Sequence, residues 1–269
     1  AKPRSGIAGR EAQRFRREGM RKLYANIAEI FYSIQGEGVY AGRPQIFIRF
    51  AGCNLECGWC DTKWARKQLP RCSVEKKPFS GKYHCLNNPL TARELFALLE
   101  SINEAGCKSI CFTGGEPLLQ AGFIKEIAGH LHDNGYETYL ETNGSLPEKL
   151  KEVISRMDVV AMDVKLPSSA KAGNLWKKHK AFLRIASAKS VFVKIIASAN
   201  TKTADILRAA DLIASAGGNM PLVIQPAHSK NGKSRNALLR KCLRWQEAAL
   251  AKLDDVRVIP QMHKALELL

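Results

Sequence analysis

From residue 27 onward the chain alternates between two hydrophobic periods. Short apolar runs at 45–50, 109–113, 136–141, 158–164, 191–196, 222–225 and 256–259 have the length and turn-rich borders of strands. Between most of them lie stretches with apolar residues every three or four positions, which predict helices at 91–104, 122–134, 147–155, 203–215 and 234–252. In the first of these Leu95, Leu98, Leu99 and Ile102 share a face, and Thr91 with Glu94 spells a capping box. In the second, Phe123, Ile124, Ile127 and Leu131 face inward and Gly135 is the stop. Strands alternating with helices predict parallel βαβ units with right-handed crossovers. Two architectures satisfy that pattern, an open doubly wound sheet and a barrel-like curl. Both gather ligand-binding groups at the carboxyl ends of the strands.

Composition changes this picture little. Of 269 residues, 45% are hydrophobic and 25% charged, which excludes a disordered chain, a collagen and a disulfide-knotted mini-protein. No repeat or low-complexity linker appears. The expected layout is one domain over 27–269, a basic arm over 1–26 and a variable basic loop insertion at 66–89. The charge is less ordinary, with 42 basic against 25 acidic residues, or +17. Residues 1–24 alone carry eight basic and two acidic side chains. Such an excess suggests nucleic acid, an acidic partner or an anionic ligand. The arm lacks the apolar stretch of a secretory signal, and no segment offers the roughly 20 apolar residues of a membrane span. A cytoplasmic protein without membrane contact is the expectation, with its cysteines reduced.

The eight cysteines are more specific than the charge. Cys53, Cys57 and Cys60 stand as C-x3-C-x2-C on a short loop after the strand 45–50. Three close thiolates suit a soft metal or a cluster, whereas a closed zinc site needs a fourth ligand, here only Asp61. Three thiolates on a four-iron cluster leave one iron free for chemistry. Cys107, Cys111 and Cys242 lie in apolar segments and read as core residues, while Cys72 and Cys85 read as surface thiols. A second motif, Thr113-Gly114-Gly115-Glu116-Pro117, follows a strand directly, and its glycines permit close backbone approach.

These two motifs in this order resemble the radical S-adenosylmethionine (SAM) superfamily. The flanking residues narrow the resemblance. Phe31-Tyr32-Ser33-Ile34-Gln35-Gly36-Glu37-Gly38, the strand 46–50 with Arg49, Cys60-Asp61-Thr62, Glu141-Thr142-Asn143-Gly144 and Pro260-Gln261-Met262-His263-Lys264 together are similar to the 7-carboxy-7-deazaguanine synthase family over about residues 27–269. The resemblance implies a partial, incomplete TIM-like barrel of parallel strands, a modified radical SAM core. It implies a radical ring contraction of 6-carboxy-5,6,7,8-tetrahydropterin with loss of ammonia, leading toward queuosine or archaeosine of transfer RNA. The implied cofactors are a [4Fe-4S] cluster, SAM and Mg²⁺. The implied partners are an electron donor such as flavodoxin or ferredoxin and a second copy in a homodimer, with no direct nucleic-acid contact.

Carried over position by position, the resemblance gives Cys53, Cys57 and Cys60 to the cluster and Thr62 to Mg²⁺. It gives Trp59, Asp61, Gly115, Glu116, Asp163, Val164, Lys165, Gln225, Pro226, Ala227 and His228 to SAM. Asp163-Val164-Lys165 departs from a Ser-Pro-Lys segment found in some members. Ile34, Gln35, Gly36, Glu37, Arg49, Thr113, His263 and the terminal carboxylate of Leu269 fall on the substrate side, with Arg49, Glu37 and His263 in catalytic positions. Two other readings compete. One is an activase that makes a glycyl radical on a partner protein, which shares the cysteine spacing. The other is a zinc-containing RNA-binding module, which would account for the basic charge.

Overall fold

Successive strand residues face two different cores, and this fixes the architecture. The computed structural model describes residues 23–103, 106–170, 172–217, 219–228 and 231–266. Most of the basic arm and Leu269 lie outside the described residues. In chain order the strands are β1 (Tyr24–Ala25), β2 (Ile27–Ile34), β3 (Pro44–Phe50), β4 (Arg71–Glu75), β5 (Tyr83–Asn87), β6 (Leu90–Thr91), β7 (Ser109–Gly114), β8 (Glu137–Thr142), β9 (Val159–Asp163), β10 (Ser190–Ala197), β11 (Leu222–Pro226) and β12 (Val256–Val258). Ten of them form one sheet in the order β12-β11-β10-β9-β8-β7-β3-β2-β4-β5, and β1 pairs with β6 apart from it.

From β3 through β7 to β12 every pairing is parallel and each strand lies beside its predecessor. The order never reverses, as it would in a doubly wound sheet, so the winding is that of a barrel. The barrel is not closed. β12 ends the sheet on one side, and on the other β2 joins β3 antiparallel and carries the β4–β5 hairpin.

Alternation along the strands fills both faces. Ile46, Ile48, Ile110, Phe112, Leu140, Val160, Val193 and Ile224 pack outward under the helices. Phe31, Phe47, Cys111, Tyr139, Ala161, Phe192 and Val223 form a separate inner cluster. There the Phe31 and Phe47 rings stack with centroids 5.0 Å apart, and Tyr40 meets Tyr139 edge-on at 5.7 Å. The barrel interior is therefore packed beneath the carboxyl ends of the strands.

The helices among the described residues are α1 (Ala92–Ile102), α2 (Ala121–Asp133), α3 (Pro147–Val153), α4 (Pro167–Ala170), α5 (Trp176–Ala186), α6 (Thr203–Ala214), α7 (Gly232–Leu250) and α8 (Met262–Ala265). The expected capping box on α1 is present, with Glu94 N donating to Thr91 Oγ1 and Thr91 N donating back to the Glu94 carboxylate. Residues 66–89, expected as a loop, instead contain the β4–β5 hairpin. This corrects the reading of Cys72, which is fully buried against the core with its thiol pushed up to about 12 by burial. Cys85, across the hairpin, is exposed, and all eight cysteines are free. Cys107, Cys111 and Cys242 are buried as expected. Among the described residues no helix is long and apolar enough to cross a membrane.

Candidate active site

The carboxyl ends of the parallel strands open on one cavity of about 310 Å³. Its wall includes Cys53, Cys57 and Cys60 on one side and Gln35, Gly36, Glu37 and Arg49 on the other. Two separate stretches of sequence expectation thus meet in a single space.

The cysteine loop is shaped by its backbone. Gly52 N and Cys53 N donate to Ala65 O and Arg66 O, and Arg66 returns a bond from its guanidinium to Cys57 O at 2.6 Å. Gly115 lies against this loop so closely that a Cβ there would stand 2.1 Å from Gly52 O. Glycine is therefore required for the loop and the Thr113–Pro117 turn to meet. Burial pushes the Cys53 and Cys57 thiols up, so a soft metal would displace protons on binding.

The donor set fits an iron–sulfur cluster. The three cysteines share one cavity wall, although among the described residues no three His, Cys, Asp or Glu side chains converge on a single ion. Thiolates of a cluster bind separate irons and need not converge on one point. The neighbouring wall fits a nucleoside-sized ligand. Trp59 has Lys165 Nζ 4.5 Å from its ring centroid. Its Nε1 and Asp163 Oδ1 are buried without a partner among the described residues.

Charge in the cavity is arranged in pairs. Lys165 Nζ bonds Asp163 Oδ2 at 2.7 Å, and Lys264 Nζ bonds Asp61 Oδ2 at 3.0 Å. Lys194 contacts Glu37 and lies 3.7 Å from Asp163. Glu37 Oε1 also accepts from Gln225 Nε2 and Gln261 Nε2. Burial alone would raise the Glu37 pKa, but Lys194 and the two amides draw it down to about 2. Glu37 is therefore a fixed anion at neutral pH and a poor proton acceptor. Arg49 gives its Nε to Glu29 at 2.6 Å and stands over the Phe31 ring, and its terminal nitrogens have no hydrogen-bond partner among the described residues. His263 packs on Gly36, where a Cβ would stand 2.0 Å from its Nδ1, and burial holds its pKa below the usual histidine range. Met262 N donates to Gly36 O, fastening the same two segments through the backbone.

Most expected site residues line this cavity: Ile34, Gln35, Gly36, Glu37, Arg49, Cys53, Cys57, Trp59, Cys60, Asp61, Thr62, Thr113, Gly115, Asp163, Lys165, Ala227, His228 and His263. Four others do not form its wall. Glu116 is fully buried and turned inward, accepting from Leu118 N, Asn143 N and Thr142 Oγ1. Burial, set against those three donors, pushes its carboxyl up to about 7. It caps the turn and ties it to the end of β8 rather than facing a ligand. Val164 is packed in the core. Gln225 is buried beneath Glu37 and orients it. Pro226 closes β11 behind the wall. Sequence reasoning gave no role to Glu141, Asn143, Lys194, Gln261 or Lys264, all of which line the cavity. Lys194 had a signal, as a lone charge inside the apolar run 191–196.

Comparison with known proteins gives a consistent result. The family model described as the radical SAM superfamily matches residues 47–224. The protein named 7-carboxy-7-deazaguanine synthase in Geobacter sulfurreducens is 37% identical over 91% of this chain and 98% of its own. The one in Methanocaldococcus jannaschii is 36% identical over 90% of this chain and 100% of its own. Among solved structures, QueE from Escherichia coli superposes with a TM-score of 0.58 at 21% identity, covering 89% of this chain and 95% of that one. At that identity the likeness speaks for the fold.

Proposed function

The chain belongs to the 7-carboxy-7-deazaguanine synthase family of the radical SAM superfamily, and from that premise we propose that it converts 6-carboxy-5,6,7,8-tetrahydropterin to 7-carboxy-7-deazaguanine by radical ring contraction with loss of ammonia. A [4Fe-4S] cluster and SAM belong to this family. The observation that carries the proposal is the single cavity, which joins the three cysteines to a polar wall sized for a small heterocycle. An activase needs an open groove for a protein loop, and the relatives' names favour the synthase over it.

When bound, the cluster and SAM supply a carbon-centred radical by one-electron cleavage of the sulfonium. The protein's own work is to hold and shield. Cys53, Cys57 and Cys60 would hold the cluster, and Trp59, Asp163 and Lys165 would line the SAM side. Arg49, with its Nε committed, offers the remaining fork to the substrate carboxylate. His263, held neutral by burial, is the proton acceptor in reach of the substrate side. The Thr62 hydroxyl is a hard oxygen ligand suited to Mg²⁺. An acidic electron carrier such as flavodoxin or ferredoxin, a homodimeric assembly and a cytoplasmic setting complete the reading.

The test is anaerobic reconstitution with iron and sulfide, then turnover with 6-carboxytetrahydropterin, SAM and dithionite. Brown protein and a deazaguanine product are expected, with both lost in Cys57→Ala. Colourless wild-type protein, or brown protein that cleaves SAM without forming the product, would overturn the proposal.

A further inference from the structure

Glu141 and Thr113 stand side by side on the cavity wall, at the ends of β8 and β7, and each keeps acceptor positions that no described residue fills. The Glu141 carboxylate has about four acceptor positions. Among the described residues it uses two, one on each oxygen. Gln35 Nε2 donates to Oε1 at 2.9 Å, and the Thr113 hydroxyl donates to Oε2 at 2.6 Å. Both partners are uncharged, in contrast to the other cavity carboxylates Glu37, Asp61 and Asp163, each of which has a lysine.

The bonding direction follows from the chemistry of the groups. An ionised carboxylate only accepts, so Thr113 spends its one proton on Glu141 and faces any ligand as an acceptor. Gln35 is fixed in the same way. Its Nε2 donates to Gln45 Oε1 and Glu141 Oε1, and its Oε1 accepts from Glu37 N. The result is a row of three free acceptor positions, two on Glu141 and one on Thr113. A ligand edge that satisfies them carries three N–H donors in a row. Glu37 cannot offer the same fork, because Lys194, Gln225 and Gln261 already occupy it.

We infer that Glu141, backed by Thr113, is the specificity-determining residue for the 2-amino-4-oxopyrimidine edge of the substrate, taking the N3–H and 2-amino group as a bidentate pair. This rests on the pterin reading above and gives ring recognition to Glu141. Glu37 becomes a tie that holds the 34–37 loop.

The experiment measures equilibrium binding to the reconstituted, SAM-loaded protein without turnover. The probes are 6-carboxypterin and 6-carboxylumazine, which carries a 2-oxo group in place of the 2-amino group. A carboxylate facing a carbonyl loses a hydrogen bond and leaves an unpaired acceptor, so the wild type should prefer the pterin by about 100-fold. In Glu141→Gln, where one acceptor becomes a donor, that preference should fall to about threefold or less, mainly through weaker pterin binding. Glu141→Asp keeps the fork and should keep a preference above about tenfold at reduced affinity. An undiminished preference in Glu141→Gln overturns the assignment. So does a wild type that binds both probes equally, a result that needs no variant to fold. Failure of the wild type to bind 6-carboxypterin at all would instead sink the pterin reading itself.

Discussion

Lys194 interrupts an otherwise apolar strand, and its ammonium is held between Glu37 and Asp163 with both carboxylates largely buried. Lys194→Met leaves two buried anions facing each other. It should cost about 3–5 kcal/mol of stability at pH 7, read by urea denaturation. The pH dependence has a definite sign. Glu37 sits at about 2, below its ordinary 4.5, so its contribution is present above 4.5 and fades as pH falls toward 2. In the variant only the Gln225 and Gln261 amides are left to oppose burial, so the Glu37 pKa rises. The deficit against wild type should therefore shrink as pH falls through about 4.5. A constant deficit would remove Glu37 as the partner. At this scale the sequence marked several of the residues that line the cavity: the cysteines by their spacing, and Arg49, Thr62, Gln35 and His263 through family resemblance alone. Glu141 and Asn143 were visible as letters but carried no role, because a polar residue at a strand end also reads as turn chemistry. Glu116 shows the reverse error. A carboxylate beside two glycines reads as ligand-facing, and only the fold shows its three donors lying inside the protein.

Elements carry predictions of a different kind. Thr91→Ala removes the capping box from α1, far from the cavity wall. It should cost about 1 kcal/mol in thermal or urea unfolding and leave pterin and SAM affinities unchanged. Gly36→Ala does the opposite. A methyl 2.0 Å from His263 Nδ1 must lift α8 away from the 34–37 loop. A misplacement on this scale should weaken pterin binding about 100-fold while SAM binding changes far less; equal losses would show a general unfolding. The strongly periodic elements, α1, α2, α6 and the central strands, were readable from sequence to within a residue or two. Others were not, α5 and the β4–β5 hairpin among them. α5 has five basic residues among its eleven, counting His179, and this polarity hides a face made by Trp176, His179, Phe182 and Leu183. The β4–β5 hairpin hides because its outer strand alternates weakly and its surroundings are rich in lysine and turn residues.

The whole molecule adds what no element shows. Parallel βαβ units were predictable, but the choice between open sheet and barrel depended on strand order, which periodicity does not encode. The antiparallel β2 and its hairpin explain why the barrel stops short: they cap the sheet at one side, and the 34–37 loop they lead into enters the cavity. The +17 charge also belongs to this scale. If an acidic protein delivers the electron, its encounter should be steered by that field and screened by salt. Turnover supported by flavodoxin should fall about tenfold between roughly 0.05 and 0.5 M salt, while turnover supported by dithionite should hardly move. Parallel losses with both reductants would place the salt effect inside the site.

Gln261 holds Glu37, Met262 holds Gly36 and Lys264 holds Asp61, so the wall around the cysteine loop is completed by residues about 200 positions further along the chain than Cys60. A ribosome adding roughly 5–20 residues per second needs about 10–40 s to travel from Cys60 to this segment. Through that interval the thiols emerge without their cover, open to oxygen and to stray metal ions. Growth in air should therefore damage the nascent chain before it damages the finished one.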